Sequence, residues 1–309
     1  MVDTLIFAFV THFAAAGEIK LDASQIQSWG SKSTYPCKKL PFIATYQKDG
    51  KTFKLFAADH AFGATPESDP GLQKIKETIE QFKPKSLVIE SAVEPGQFSG
   101  PGLSRQESGC RVKNDFVCGE SFYAGLIAGK SGAVVTGGEQ SPNERNKRLL
   151  ASGWSSEEVK AYNSLLILSS MRAEGALLEE RKRRLMSDPE NQDSFLGDAS
   201  WSYAKLDAYL KRIGAGSADD IDSSWIAPVS GADSTPTQKL AAKNDSQREP
   251  IILAAAEKAI NSSSNSMMVY GASHFVKQAR ALAAAFGPPS IQCLADGGGS
   301  GLTPAPSTR

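Results

Sequence analysis

The stretch Met267-Met-Val-Tyr-Gly-Ala-Ser-His-Phe275 reads as an apolar strand, a glycine, and a histidine where a helix begins. The residues that follow, Phe275 to Phe286, carry an alanine-rich helical pattern, and Ser290 to Leu294 gives a closing strand. Strand, helix, strand in this order implies a right-handed crossover within a mostly parallel sheet. The first third of the chain reads the same way. Phe42–Tyr46 and Phe53–Ala58 flank Lys48-Asp49-Gly50, and an Asp-Gly pair between two β-prone runs is a hairpin signal. Leu72, Ile75, Ile79 and Phe82 fall at helical spacing over 69–82. Ser86-Leu-Val-Ile-Glu90 and Gly132–Thr136 are short apolar runs of the kind buried on both faces of a parallel sheet, with a helix over 116–129 between them.

Residues 143 to about 185 and 201–213 are helix-rich, and the polar stretch 214–245 reads as a long loop or lid. A helix over 246–261 follows, with Pro250 in its first turn. The expected fold is therefore an α/β domain over 17–296: a mostly parallel central sheet of repeated β/α units with a helical cap inserted at about 143–245. The glycine-rich end, 297–309, is a flexible tail by composition.

Two of the three histidines in the chain stand in equivalent places. Ala57-Ala58-Asp59-His60 and Gly271-Ala272-Ser273-His274 both read as a strand, a four-residue turn ending in histidine, and then a helix, like a weak internal repeat. Glu90 ends one of the buried strands and Glu139 follows another. Ligands of open α/β sheets bind at that edge. Two imidazoles and two carboxylates converging there suit a divalent metal, through neutral nitrogen and ionised oxygen. They equally suit a general base and its partner in hydrolysis. Arg248 is positioned to hold a carboxylate or to stabilise an oxyanion. The blander alternatives are a turn cap for each histidine and a helix N-terminal acid for each glutamate.

Composition narrows the classes of function. The 309 residues carry 34 basic and 34 acidic side chains, so nothing in the overall charge favours nucleic acid or an acidic membrane. No run of roughly 18 apolar residues is present, which leaves no ordinary membrane-spanning helix. No GxSxG, GxGxxG or GxxxxGK[ST] motif follows a strand, so serine-hydrolase and nucleotide-binding readings lack support. Met1–Ala16 is an apolar run ending in small residues. It reads either as a secretory signal or as a first element packed on the core, with Asp3 and the absence of Lys and Arg weighing against a signal. Cys37, Cys110, Cys118 and Cys293 contain no CxxC pair. Cys110 and Cys118 are placed to close a small loop, and Cys37 and Cys293 lie near the first and last strands. A periplasmic or secreted protein is favoured over a cytoplasmic one with four free thiols.

The string Gly271-Ala272-Ser273-His274, after an apolar strand and before a helix, resembles the GxxH element of the TraB/Tiki superfamily. Arg248 ahead of that strand, Ser86-Leu-Val-Ile-Glu90, and Gly137-Gly138-Glu139-Gln140-Ser141-Pro142 before the helical insertion add to the resemblance, which spans roughly 42–294. One departure stands out: the first GxxH is here Ala57-Ala58-Asp59-His60, without its glycine. That superfamily includes ChaN-like haem-binding lipoproteins and erythromycin-esterase-like hydrolases. The resemblance implies His60, Glu90, Glu139, Arg248 and His274 as the catalytic set. It implies His60, Glu90, Glu139 and His274 as ligands of a divalent metal (Mn, Co or Zn), if one is used. The expected activity is hydrolysis of an ester or peptide bond in a small molecule or peptide. The alternative is haem binding without turnover, with Tyr123, Tyr203, Tyr270, His60 and His274 as candidate axial ligands.

Overall fold

The computed structural model describes residues 17–28, 34–60, 69–112, 115–116, 119–173, 178–187, 193–220, 223–228 and 234–295. The possible signal at 1–16, with His12, and the tail at 297–309 lie outside them.

The hairpin forms as its turn chemistry directs. Strand β1 (Phe42–Lys48) pairs antiparallel with β2 (Lys51–Ala58), from Phe42 opposite Ala57 to Lys48 opposite Lys51. Asp49 and Gly50 between them have φ of +50° and +73°. Two successive left-handed residues match the twist of the flanking strands, and Asp-Gly adopts them at low cost.

Helix α1 (Pro70–Phe82) begins where Asp69 accepts a hydrogen bond from Leu72 N, with proline at its first position. It buries Leu72, Ile75 and Ile79. Strand β3 (Ser86–Ile89) is wholly buried. Next come α2 (Gly100–Gly109), a two-residue strand pair β4 (Arg111–Val112) and β5 (Asp115–Phe116), α3 (Gly119–Lys130) and β6 (Val134–Gly137). After the cap come β7 (Asn265–Gly271), a helix over 272–286 and β8 (Ser290–Cys293).

The six-stranded sheet has the order β6-β3-β7-β2-β1-β8. Its four members β6, β3, β7 and β2 run parallel, while β1 is antiparallel to both β2 and β8. The fold is α/β, with a mixed, mostly parallel sheet. Side chains alternate between its faces, as strand geometry requires. Phe53, Leu55, Ala57, Met268 and Tyr270 face a core completed by Ile252, Ala256, Phe275 and Leu282. Phe56, Ala58, Met267 and Val269 face the opposite core, with Leu72, Ile75, Ile79, Ala124 and Leu126.

The cap is built from α4 (Pro142–Ala151), α5 (Ser156–Ala173), α6 (Leu178–Ser187), α7 (Tyr203–Arg212) and the first half of α8 (Pro236–Ser262). It has its own core, with Leu165, Leu185, Phe195, Trp201 and Leu206 at the centre.

Helix α8 departs from expectation. It begins ten residues before Ser246 and takes in the last part of the expected loop. Thr235 and Gln238 form a reciprocal capping box there, and Pro236 occupies the first helical position. Pro250 consequently lies inside the helix, not in its first turn, and removes one internal N–H donor. At 27 residues α8 is roughly 40 Å long. Its first half packs Leu240 and Ala241 in the cap, and its second half packs Ile252, Ala256 and Ile260 on the sheet. The last helix, α9 (Ala272–Phe286), also starts early, directly from β7.

Cys37 and Cys293 meet as a disulfide with Cα atoms 5.7 Å apart, tying the segment before β1 to the end of β8. Cys110 is disulfide-bonded as well; Cys118, the partner expected from the sequence, lies outside the described residues. Among the described residues no helix is long and apolar enough to cross a membrane.

The Cys37–Cys293 bond closes a loop of 256 residues in sequence separation. Cys37→Ala with Cys293→Ala is expected to lower unfolding stability by roughly 2–5 kcal/mol, because so long a loop strongly restricts the unfolded chain. Chemical denaturation of the two proteins measures the difference.

Candidate functional site

Four neighbouring parallel strands each deliver one of the expected residues to the same edge of the sheet. Glu139 follows β6, Glu90 follows β3, His274 follows β7 and His60 follows β2. The order across the edge is Glu139, Glu90, His274, His60. The carboxyl ends of parallel strands point one way, so four residues far apart in sequence are neighbours in space.

Arg248 descends on this row from the middle of α8. Its Nε donates to Glu139 Oε2 and its Nη2 to Glu90 Oε1, each at 2.7 Å. Of the two roles open to this arginine, the geometry realises the carboxylate clamp. The other oxygen of Glu90 accepts from Gly271 N at 2.8 Å. Burial alone would raise the Glu90 carboxyl, but the charges of His274, Arg248 and His60 hold it well below the usual range. Burial also opposes ionisation of Arg248, yet Glu139 and Glu90 keep it firmly charged.

The two histidines turn out not to be equivalent. In the β2–β7 register Ala58, not Ala57, lies opposite Gly271. His60 is thus two residues past the strand register and His274 three. There is no four-residue turn before His274, because β7 runs straight into α9 and the histidine falls inside the helix's first turn. Its side chain is 3% exposed. Nδ1 lies 2.8 Å from Glu249 Oε1 and Nε2 lies 3.4 Å from Glu90 Oε1, each as a charge contact. Burial disfavours the imidazolium, but Glu90 and Glu249 outweigh it and raise the group. Glu249 is in turn held by Lys277 Nζ at 3.1 Å and Gln278 Nε2 at 3.0 Å.

His60 is the accessible one, with half its side chain exposed. Its Nδ1 lies 2.7 Å from Glu120 Oε1, at the start of α3. That hydrogen bond raises the imidazole to about 9, against burial, and the charge of Glu90 adds to the effect. The opposite nitrogen, Nε2, faces Gly271. A Cβ on Gly271 would come 2.9 Å from His60 Nε2 and 3.3 Å from Glu90 Oε2. The glycine of Gly271-x-x-His274 is therefore demanded by space, since its φ of −53° suits any residue. Ala57, where the first motif lacks glycine, is a fully buried strand residue whose methyl belongs to the core.

Neither Glu120 nor Glu249 stands out from the sequence alone. Glu120 lies in the first turn of α3, and only its 2.7 Å approach to His60 Nδ1 reveals it as that residue's partner. The side-chain row also holds buried polar atoms without a hydrogen-bond partner: Glu139 Oε1 and Tyr270 Oη. Tyr270 reaches beneath Gly138, where a Cβ would lie 2.0 Å from its hydroxyl oxygen.

These residues fit a resident metal poorly. The guanidinium of Arg248 occupies the space between the two carboxylates that a cation would share, and both oxygens of Glu90 are already engaged. Among the described residues no three His, Cys, Asp or Glu side chains form a metal-binding group. Of the candidate haem ligands, Tyr270 is fully buried, His274 is enclosed by two carboxylates, and Tyr203 donates to Asp219 Oδ1. Compared with models of protein families, with curated proteins and with solved structures, the chain matches none.

Two tests follow from the geometry. Glu249 titrates at about 2, because His274 and Lys277 together overcome its burial. A depressed carboxyl contributes stability in full above its unfolded value, about 4.3, and loses it as pH falls towards about 2. Glu249→Gln removes one of the two carboxylates facing His274 and leaves Lys277 paired with Asp245 alone. It is expected to cost about 1–3 kcal/mol at neutral pH and to flatten the acid limb, as read by urea unfolding at stepped pH. Gly271→Ala is expected to displace His60 and weaken its coupling to Glu90, visible as a downward shift of the His60 titration by NMR.

Proposed function

We propose that the protein is a hydrolase of the TraB/Tiki type that cleaves an ester or peptide bond without a metal, using His60 as its proton-transfer residue. The observation that carries this reading is the Glu120–His60 pair. A carboxylate on Nδ1 fixes the imidazole tautomer and directs Nε2 into the site, beside Glu90 and the end of β7.

In this scheme His60 Nε2 takes a proton from water as the water oxygen bonds to the substrate carbonyl carbon. The tetrahedral intermediate then breaks its bond to the leaving oxygen or nitrogen, which receives the proton back from the imidazolium. Ionised Glu90 lies beside Nε2 and stabilises the imidazolium that forms. Arg248 and His274 keep Glu90 ionised in a buried place, and Glu120 positions the ring. The substrate is a small molecule or peptide. The disulfide between Cys37 and Cys293 supports a periplasmic or secreted location, since such bonds persist in oxidising compartments.

A panel of esters and peptides, assayed with and without chelator, tests the reading. Turnover is expected to survive the chelator, while His60→Ala and His274→Ala each abolish it with the circular dichroism spectrum unchanged. Full activity in either variant would sink the proposal. Stoichiometric haem uptake with a Soret band and no turnover would favour the ligand-binding alternative.

The pH profile adds a sharper check. Because the raised imidazole must be neutral to accept a proton, kcat/KM is expected to climb about tenfold per pH unit and level off near 9. Glu120→Gln removes the group that raises it, so the rising limb is expected to move towards about 6.5, the ordinary histidine value.

A further inference from the structure

Helix α4 starts three residues after Glu139, anchored by a capping box in which Ser141 Oγ accepts from Glu144 N. Arg145 and Arg148 stand three residues apart on this helix and so share one face. Both feel the charge of Glu139. Neither behaves like Arg248. Arg145 Nη2 donates to Asn163 Oδ1 at 2.9 Å, and the Nε of each arginine is buried with no acceptor. Among the described residues their hydrogen bonds and ion pairs include no carboxylate. Glu139 is already committed through Oε2 to Arg248.

The acceptor on Arg145 is itself built in place. Asn163 is fully buried, and its Nδ2 donates to Asn146 Oδ1 at 2.9 Å and to Ser194 O at 2.7 Å. The network therefore fixes one edge of the Arg145 guanidinium and leaves its Nε unsatisfied. Glu139 and Glu144 act on these guanidinium groups only through their charge; a buried guanidinium N–H left without an acceptor is costly, and such groups match a planar or tetrahedral oxyanion.

We propose that Arg145 and Arg148 form an anion-binding subsite beside Glu139, so that the substrate carries a carboxylate or phosphate group several bonds away from the one that is cleaved. The substrate class rests on the hydrolytic reading above, whereas the anion site itself does not. The subsite lies at the β6 end of the row and His60 at the β2 end, so the substrate spans the edge between them. Arg145 and Arg148 are specificity determinants here, and the proton transfer remains with His60.

Thermal unfolding of the whole protein at constant ionic strength tests the site without any turnover. Succinate and inorganic phosphate serve as probes against chloride. A rise in Tm with either anion is expected, and whichever gives the larger rise identifies the carboxylate or the phosphate source. Arg145→Gln with Arg148→Gln is expected to remove that rise. If the double variant does not fold, Arg148→Gln alone reads the same loss. No rise in the parent protein, or a rise retained in the variant, would overturn the subsite.

The catalytic arm compares the 4-nitrophenyl monoester of sebacate, long enough to reach along the edge, with 4-nitrophenyl decanoate. The parent is expected to favour the anionic ester in kcat/KM by about tenfold to a hundredfold, as fits a charge-assisted contact. The variant is expected to bring that ratio close to one. Absence of turnover on both esters, with the Tm response intact, would reject the hydrolytic reading while leaving the anion site standing.

Discussion

Everything at the sheet edge depends on Arg248 lying between Glu90 and Glu139. These carboxylates leave adjacent parallel strands, and two negative charges brought together in a partly buried place would drive one of them to take up a proton. The guanidinium removes that conflict by donating a separate N–H to each. The arrangement is costly to desolvate and is not to be read as a source of stability. What it secures is an ionised Glu90 at a defined position. From there the charge order runs outward to Gly271, His274 and His60.

The backbone explains how one side chain can hold both. Helix α8 is continuous through the cap and the sheet layer, so Arg248 is fixed from both sides. The adjacent residue, Glu249, neutralises His274 and Lys277, while Pro250 follows where the helix passes from cap to sheet. Charged residues at consecutive positions thus point at different partners. Two glycines allow the remaining close approaches. Gly271 leaves room for His60 Nε2 and Glu90, and Gly138 leaves room for the Tyr270 hydroxyl.

Much of this was legible from residues alone, and the reasons are physical. Two β-prone runs flanking an Asp-Gly turn specify a hairpin, and short apolar runs such as Ser86–Ile89 specify buried parallel strands. Parallel strands then force Glu90, Glu139, His60 and His274 to one edge, so the row follows from topology without any knowledge of contacts. The start of α8 is hard to read because polar composition over 236–245 masks the capping box at Thr235 and Gln238. Pro250 adds to this, because proline ordinarily marks a first helical turn. Glu120 and Arg145 escaped notice for another reason: each is an ordinary helix-surface charge until packing against a distant strand or helix gives it a role. The apparent equivalence of the two histidines also dissolved, since a one-residue difference in register buries His274 and leaves His60 accessible.

The functional account depends on this difference between the histidines. His274 is a buried member of the charge network, and His60 is the exposed one whose basicity is set by Glu120. The most direct measurement is a long-range proton–nitrogen NMR titration of the His60 ring in the intact protein. The account requires a midpoint near 9, with Nδ1 remaining protonated as Nε2 loses its proton. A midpoint at about 6.5, the value of an isolated histidine, or loss of the proton from Nδ1 would contradict it.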